Sequence, residues 1–172
     1  MEGPRASTPE LRQPTRAVPV RITLVGQNAT PAELFLPTTG TSRTQVLDDV
    51  SHLVETEAKF FPFKWLGDVR LLGKHAIVWI AVHRAEAETT DPLDPPSEVT
   101  TLYDRQHHVE VQLVGGTKLT GTLLDSSPAN HPRVVDHING SGQFMRLWTA
   151  EEHFLINKAQ ILQVTELAWS ID

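Results

Sequence analysis

Apolar and polar positions alternate along two stretches of the chain. Val20, Ile22 and Leu24 are separated by polar neighbours, as are Val109, Val111 and Leu113. A two-residue period turns one face of a strand toward a core. After Gly115-Gly116, Leu119 and Leu123 continue the pattern, so residues 109–124 are predicted to form a hairpin. Pro31 stands near the start of the corresponding second strand in the first half, which predicts an edge position or a bulge there. Between the strands the period changes. Val46, Leu47, Val50, Leu53 and Val54 have helical spacing, predicting a helix over 43–54. A shorter helix is predicted over 132–139, with Pro132 suited to its first turn and Asn139-Gly140 to its end. Further strands are predicted near 60–72, 74–82, 143–156 and 159–167, with turns at Gly67-Asp68 and Glu151-Glu152.

These segments recur in order. Val20-Arg-Ile-Thr-Leu-Val-Gly26 resembles Val109-Glu-Val-Gln-Leu-Val-Gly115, and Val46-Leu-Asp-Asp-Val50 resembles Val134-Val-Asp-His-Ile138. The stretch Val69–Ile80 likewise resembles His153–Val164. The pattern predicts an internal duplication: a first repeat at 20–83 and a second at 102–172. Each unit has a thin core and would be marginal alone. Packing the two together would bury Trp65, Trp79 or Trp148 and cover open strand edges. Residues 1–19, with four prolines and no apolar period, read as a disordered tail. Residues 84–101, with five acids against one arginine and three prolines, read as an acidic linker.

Composition narrows the function classes. The chain has 172 residues, a net charge of -6, 40% hydrophobic and 21% charged residues. That describes a globular chain and not a nucleic-acid-coating polycation. It has no cysteine, which excludes disulfides, thiolate zinc sites and cysteine nucleophiles, and fits a reducing cytoplasm. No apolar run approaches the roughly 20 residues of a membrane helix, and the first residues lack the order of a signal peptide.

The segment Val109–Ser126 is similar to the opening hairpin of the Sm-like family, in particular of bacterial Hfq. Gly73-Lys-His-Ala-Ile77 resembles the closing Lys-His-Ala-Ile stretch of Hfq, and Asn157-Lys-Ala-Gln-Ile161 keeps only its lysine. The resemblance implies two tandem small, bent antiparallel β-barrels, each with a short inserted helix, packed as a pseudo-dimer. An SH3-like barrel fits the same hairpin. The resemblance also implies self-association through edge strands, and an RNA-binding role for Lys74, His75 and Lys158. Net charge gives RNA no support, because phosphate neutralisation needs a basic surface.

The remaining candidates are few. In Phe60-Phe-Pro-Phe-Lys-Trp65, an extended chain puts Phe61, Phe63 and Trp65 on one face. Exposed, that face would dock a protein partner; buried, it is core. Asp48 and Asp136 occupy matching places in the two predicted helices and are assigned a structural hydrogen bond, to a backbone amide or to Arg43 or Arg133. His107, His108, His131, His137 and His153 lack metal-ligand spacing, so no metal is expected. Asp136, His137 and Ser127 carry no nucleophile motif, so no catalytic residue and no cofactor is expected. The chain reads as a non-catalytic, cytoplasmic protein-interaction or adaptor module that self-associates, with RNA binding as the alternative.

Overall fold

A computed structural model describes residues 15–37, 43–83, 105–125, 133–140 and 142–167. The first half contains β1 (Thr15–Leu24), β2 (Thr30–Pro37), α1 (Arg43–Glu55), β3 (Phe60–Trp65), β4 (Asp68–Gly73) and β5 (Ile77–His83). The second contains β6 (Arg105–Leu113), β7 (Lys118–Asp125), α2 (Val134–Ile138), β8 (Phe144–Trp148), β9 (Glu152–Asn157) and β10 (Ile161–Glu166). Short 3-10 turns at Lys74–Ala76 and Lys158–Gln160 lead into β5 and β10. The strands form one ten-stranded antiparallel sheet in the order β10-β6-β7-β8-β9-β5-β1-β2-β3-β4.

This corrects the expected fold. The chain does not close into two Sm-like or SH3-like barrels packed as a pseudo-dimer. The halves join edge to edge instead: Trp79 lies opposite Ile156, Ile80 opposite Leu155 and Ala81 opposite Phe154. A barrel would use up its own edges; here β5 and β9 use theirs on each other. The strand order recurs in the two halves, but two self-contained duplicated units do not. Both apolar clusters cross the β5–β9 seam. One combines Ile22, Leu34, Val50 and Ile80 with Leu124, Phe144, Trp148 and Leu155. The other combines Val78, Trp79 and Ala81 with Val111, Leu123, Phe154 and Ile156.

The seam explains the sequence of its strands. Ile77–Ala81 and all of β9 are buried, so apolar residues run continuously where a half-exposed strand would alternate. Polar clasps finish the joint. The Arg21 guanidinium donates to both Glu152 carboxylate oxygens, at 2.7 and 2.8 Å, and lies 5.6 Å from the centre of the Trp79 ring. The Asn157 amide donates to the Ile77 carbonyl at 3.0 Å, and the Gln160 amide to the His75 carbonyl at 3.2 Å.

Helix α1 reinforces the joint from one face. Val50 and Val54 enter the first cluster, and Asp48 pairs with Arg146 on β8 at 2.8 Å. Glu55 ends the helix, where the helix dipole disfavours an acid. Its carboxylate is compensated by the backbone amides of Gln143 and Phe144, which donate to it at 2.9 and 2.8 Å.

The strand predictions shift in detail. Thr15–Pro19 belong to β1, paired with Glu33–Pro37, so strand structure includes residues before 20. The remainder of the predicted tail and the predicted linker at 84–101 lie outside the described residues. The stretch 60–72 is two strands joined by a tight turn at Leu66-Gly67, both with positive φ (51° and 90°). That is the backbone twist a two-residue hairpin needs.

Candidate interaction edges

An open sheet has two ends. Here they are β4 and β10, each hydrogen-bonded to one neighbour only. An exposed edge presents a row of unpaired backbone donors and acceptors and is a template for another strand. Natural edges are protected by charge, proline or bulges.

Apart from Asp68 and Arg70, the β4 edge carries little such protection. On the outward face Phe60, Val69 and Leu71 are exposed, and Leu66 extends the apolar surface at the hairpin tip. Pro62 lies opposite Leu71 within this patch. The edge also opens onto a groove of about 360 Å³, lined by Leu24, Phe63, Trp65, Arg70, Leu72 and His75 together with Phe60 and Leu71 of the apolar patch. Arg70 lies 3.6 Å from Asp68, an exposed pair of small energetic weight.

At the opposite end, Ile161 and Val164 of β10 pack against the second cluster. His107 Nδ1 and Glu166 Oε1 are 2.9 Å apart, tying the strand's end to β6. The register against β6 slips between Ile161 and Gln163, and the bulge leaves Leu162 62% exposed. The same kind of slip occurs in β5, between its pairings of Ile77 with Leu24 and of Trp79 with Thr23. There the bulged residue is Val78, which the second cluster buries to 2%. The same local device is covered at the seam and bare at the free end.

The residues singled out from sequence fall differently around these edges. Phe61, Phe63 and Trp65 do share a face, but it points inward: they are 3%, 3% and 9% exposed and belong to the first cluster. The aromatic residue that reaches solvent on β3 is Phe60, beside the exposed His75 ring at 6.2 Å. Lys74 is buried, and its ammonium donates to the carbonyl and hydroxyl of Thr56. Lys158 donates to the Gly140 carbonyl at 3.1 Å. Burial pushes both lysines below the ordinary lysine range, and the nearby Glu55 carboxylate offsets part of that shift. The structure thus directs both ammonium groups to loop carbonyls. Asp48 finds Arg146, a partner on a distant strand, and Asp136 is exposed.

Sequence reasoning missed Glu110 on β6 and Leu162 on β10. A signal existed for the last. Ile161-Leu162 is an adjacent apolar pair at the start of the otherwise alternating strand β10, the mark of a bulge.

Among the described residues no group of three metal-ligating side chains occurs, and no helix is long and apolar enough to cross a membrane. No protein-family model matches the chain, and neither curated proteins nor solved structures give a match. The Sm-like resemblance is therefore corrected: the short motifs that carry it sit in one open sheet, and no comparison ties the chain to that family or supports a duplication.

Proposed function

We propose that this chain is a non-catalytic, cytoplasmic interaction module that works by strand addition, and that it self-associates head to tail through β4 and β10. The observation that carries this reading is the β4 edge, where a six-residue strand with unpaired backbone groups lies under Leu66, Val69, Leu71 and Phe60. Such an edge favours pairing over solvation. The opposite edge is also six residues long, and the β5–β9 seam shows that strands of this sheet can join its two halves edge to edge. A contact between two different edges is heterologous, so it propagates into a ring or a filament.

Sedimentation velocity of the full chain over a range of concentrations tests the proposal. Concentration-dependent association is expected, weakened by Val69→Lys plus Leu71→Lys, which place two charges on the edge. A strict monomer at every concentration overturns it.

A further inference from the structure

Resting on that reading, we infer that the groove at β4 receives Leu162 of a second copy, and that an ion pair between Glu110 of one copy and Arg70 of the next specifies the junction. The seam supplies the template. Across it, β5 pairs with β9 so that Arg21, Ala81 and Phe154 form one row over three adjacent strands. Arg21 reaches over the small Ala81 side chain to Glu152, two positions from Phe154 on the far strand.

The free ends offer matching pieces. β10 lies against β6 as β5 lies against β1, with Thr165 opposite Glu110 where Ala81 is opposite Arg21. β4 lies against β3 as β9 lies against β8, with Arg70 opposite Phe63 where Phe154 is opposite Leu147. Joining β10 to the β4 of a second copy in the seam's register sets Val164 opposite Leu71 and Thr165 opposite Arg70. Glu110, Thr165 and Arg70 then form one row. Two strand spacings span roughly 9.5 Å, a gap that glutamate and arginine bridge over threonine; in the seam Arg21 instead crosses Ala81 diagonally to Glu152, whose place on β4 is held by Asp68. Glu110 and Arg70 carry opposite charges, so the pair is complementary.

The groove fits the same register. In the second half Leu113, Leu147, Phe154 and Ile156 form the cluster that buries Val78, Trp79 and Ala81 from β5. At the β4 end the corresponding positions are Leu24, Phe63, Arg70 and Leu72, all of which line the groove. Leu162, at the bulge position that Val78 holds in the seam, is the exposed apolar side chain that this register brings to it. Within one copy Glu110 pairs with Lys118 at 2.9 Å and Arg70 with Asp68 at 3.6 Å. Both are surface pairs, which exchange at small cost.

The test is charge-swap complementation in the full chain, read by sedimentation equilibrium, with circular dichroism confirming that each variant folds. Glu110→Arg and Arg70→Glu each place like charges in the row and are expected to weaken association roughly tenfold or more. Mixing the two variants restores it, because every junction between unlike copies regains an opposite pair. The double variant also associates on its own. Leu162→Asp weakens association without any rescue by charge swapping. Association that is untouched by the single variants, or singles that fail without recovery on mixing, overturns this junction while leaving strand addition standing. A monomeric wild type overturns both.

Discussion

Replacing Leu155 by alanine tests whether the two halves are one cooperative structure. Leu155 lies on β9 in the second half, is fully buried, and packs in the cluster built mainly by β1, β2, α1 and β3 of the first half. Truncation removes three methyl or methine carbons from a site enclosed by the seam strand β5 and the residues around α1. Neighbours held by strand pairing on both sides cannot collapse into the void, so the cost is expected near the upper part of the usual range, about 3–5 kcal/mol. A domain of this size is stable by about 5–15 kcal/mol, so the variant folds but is visibly weakened. Urea unfolding measures the loss as a lower midpoint at unchanged slope. Amide hydrogen exchange locates it. Protection should fall together in β1 and β2, at Ile22 and Leu34, and in β6 and β7, at Val111 and Leu123. Loss confined to the second half, with Ile22 and Leu34 as protected as in the wild type, would refute the shared core.

Three further outcomes follow from the same packing. Glu55→Ala strips the carboxylate from the amides of Gln143 and Phe144 and should cost about 1–3 kcal/mol in chemical denaturation; no measurable loss would mean that water replaces both bonds. Gly121→Ala places a methyl group 2.5 Å from the Trp148 carbonyl oxygen and 2.9 Å from Leu147 Cγ, and should cost about 3 kcal/mol or prevent folding, as judged by thermal melts. The depressed pKa of Lys74 means that the unfolded chain holds more protons between the folded value and 10.5, so this group's contribution to stability rises with pH through that window. Urea midpoints of wild type minus Lys74→Met should therefore increase as pH rises toward 10.5, and a flat difference would count against the burial.

Local elements were legible in the sequence wherever the period was clean. The hairpin of β6 and β7 and the helix α1 follow from Val109, Val111 and Leu113 and from Val46, Val50 and Val54. Proline misled the reading of β1. Pro19 suggested a tail, yet β5 pairs with β1 only from Arg21 onward, so the missing donor of Pro19 removes nothing from that ladder. Pro62 is tolerated for a similar reason, since β2 pairs with β3 only at Phe63–Trp65. The orientation of Phe61, Phe63 and Trp65 could not be decided from alternation, because Phe60 is equally apolar. The seam was hidden for a different reason. Ile77–Ala81 announces a strand buried on both faces, but a composition cannot name the strand that covers it. The pairing of Trp79 with Ile156 is set by topology, which also fixes where the open edges and the groove fall.

The doubly buried strand β5 has a consequence for the birth of the chain. During synthesis Ile77-Val-Trp-Ile-Ala-Val82 leaves the ribosome before its partner β9, which lies more than seventy positions later. Throughout that interval the nascent first half exposes a β-prone, uncharged and proline-free segment, the composition most prone to intermolecular stacking. A truncated product ending shortly after His83 would retain that hazard permanently, so translation must be completed before the polypeptide can shield its own most adhesive stretch.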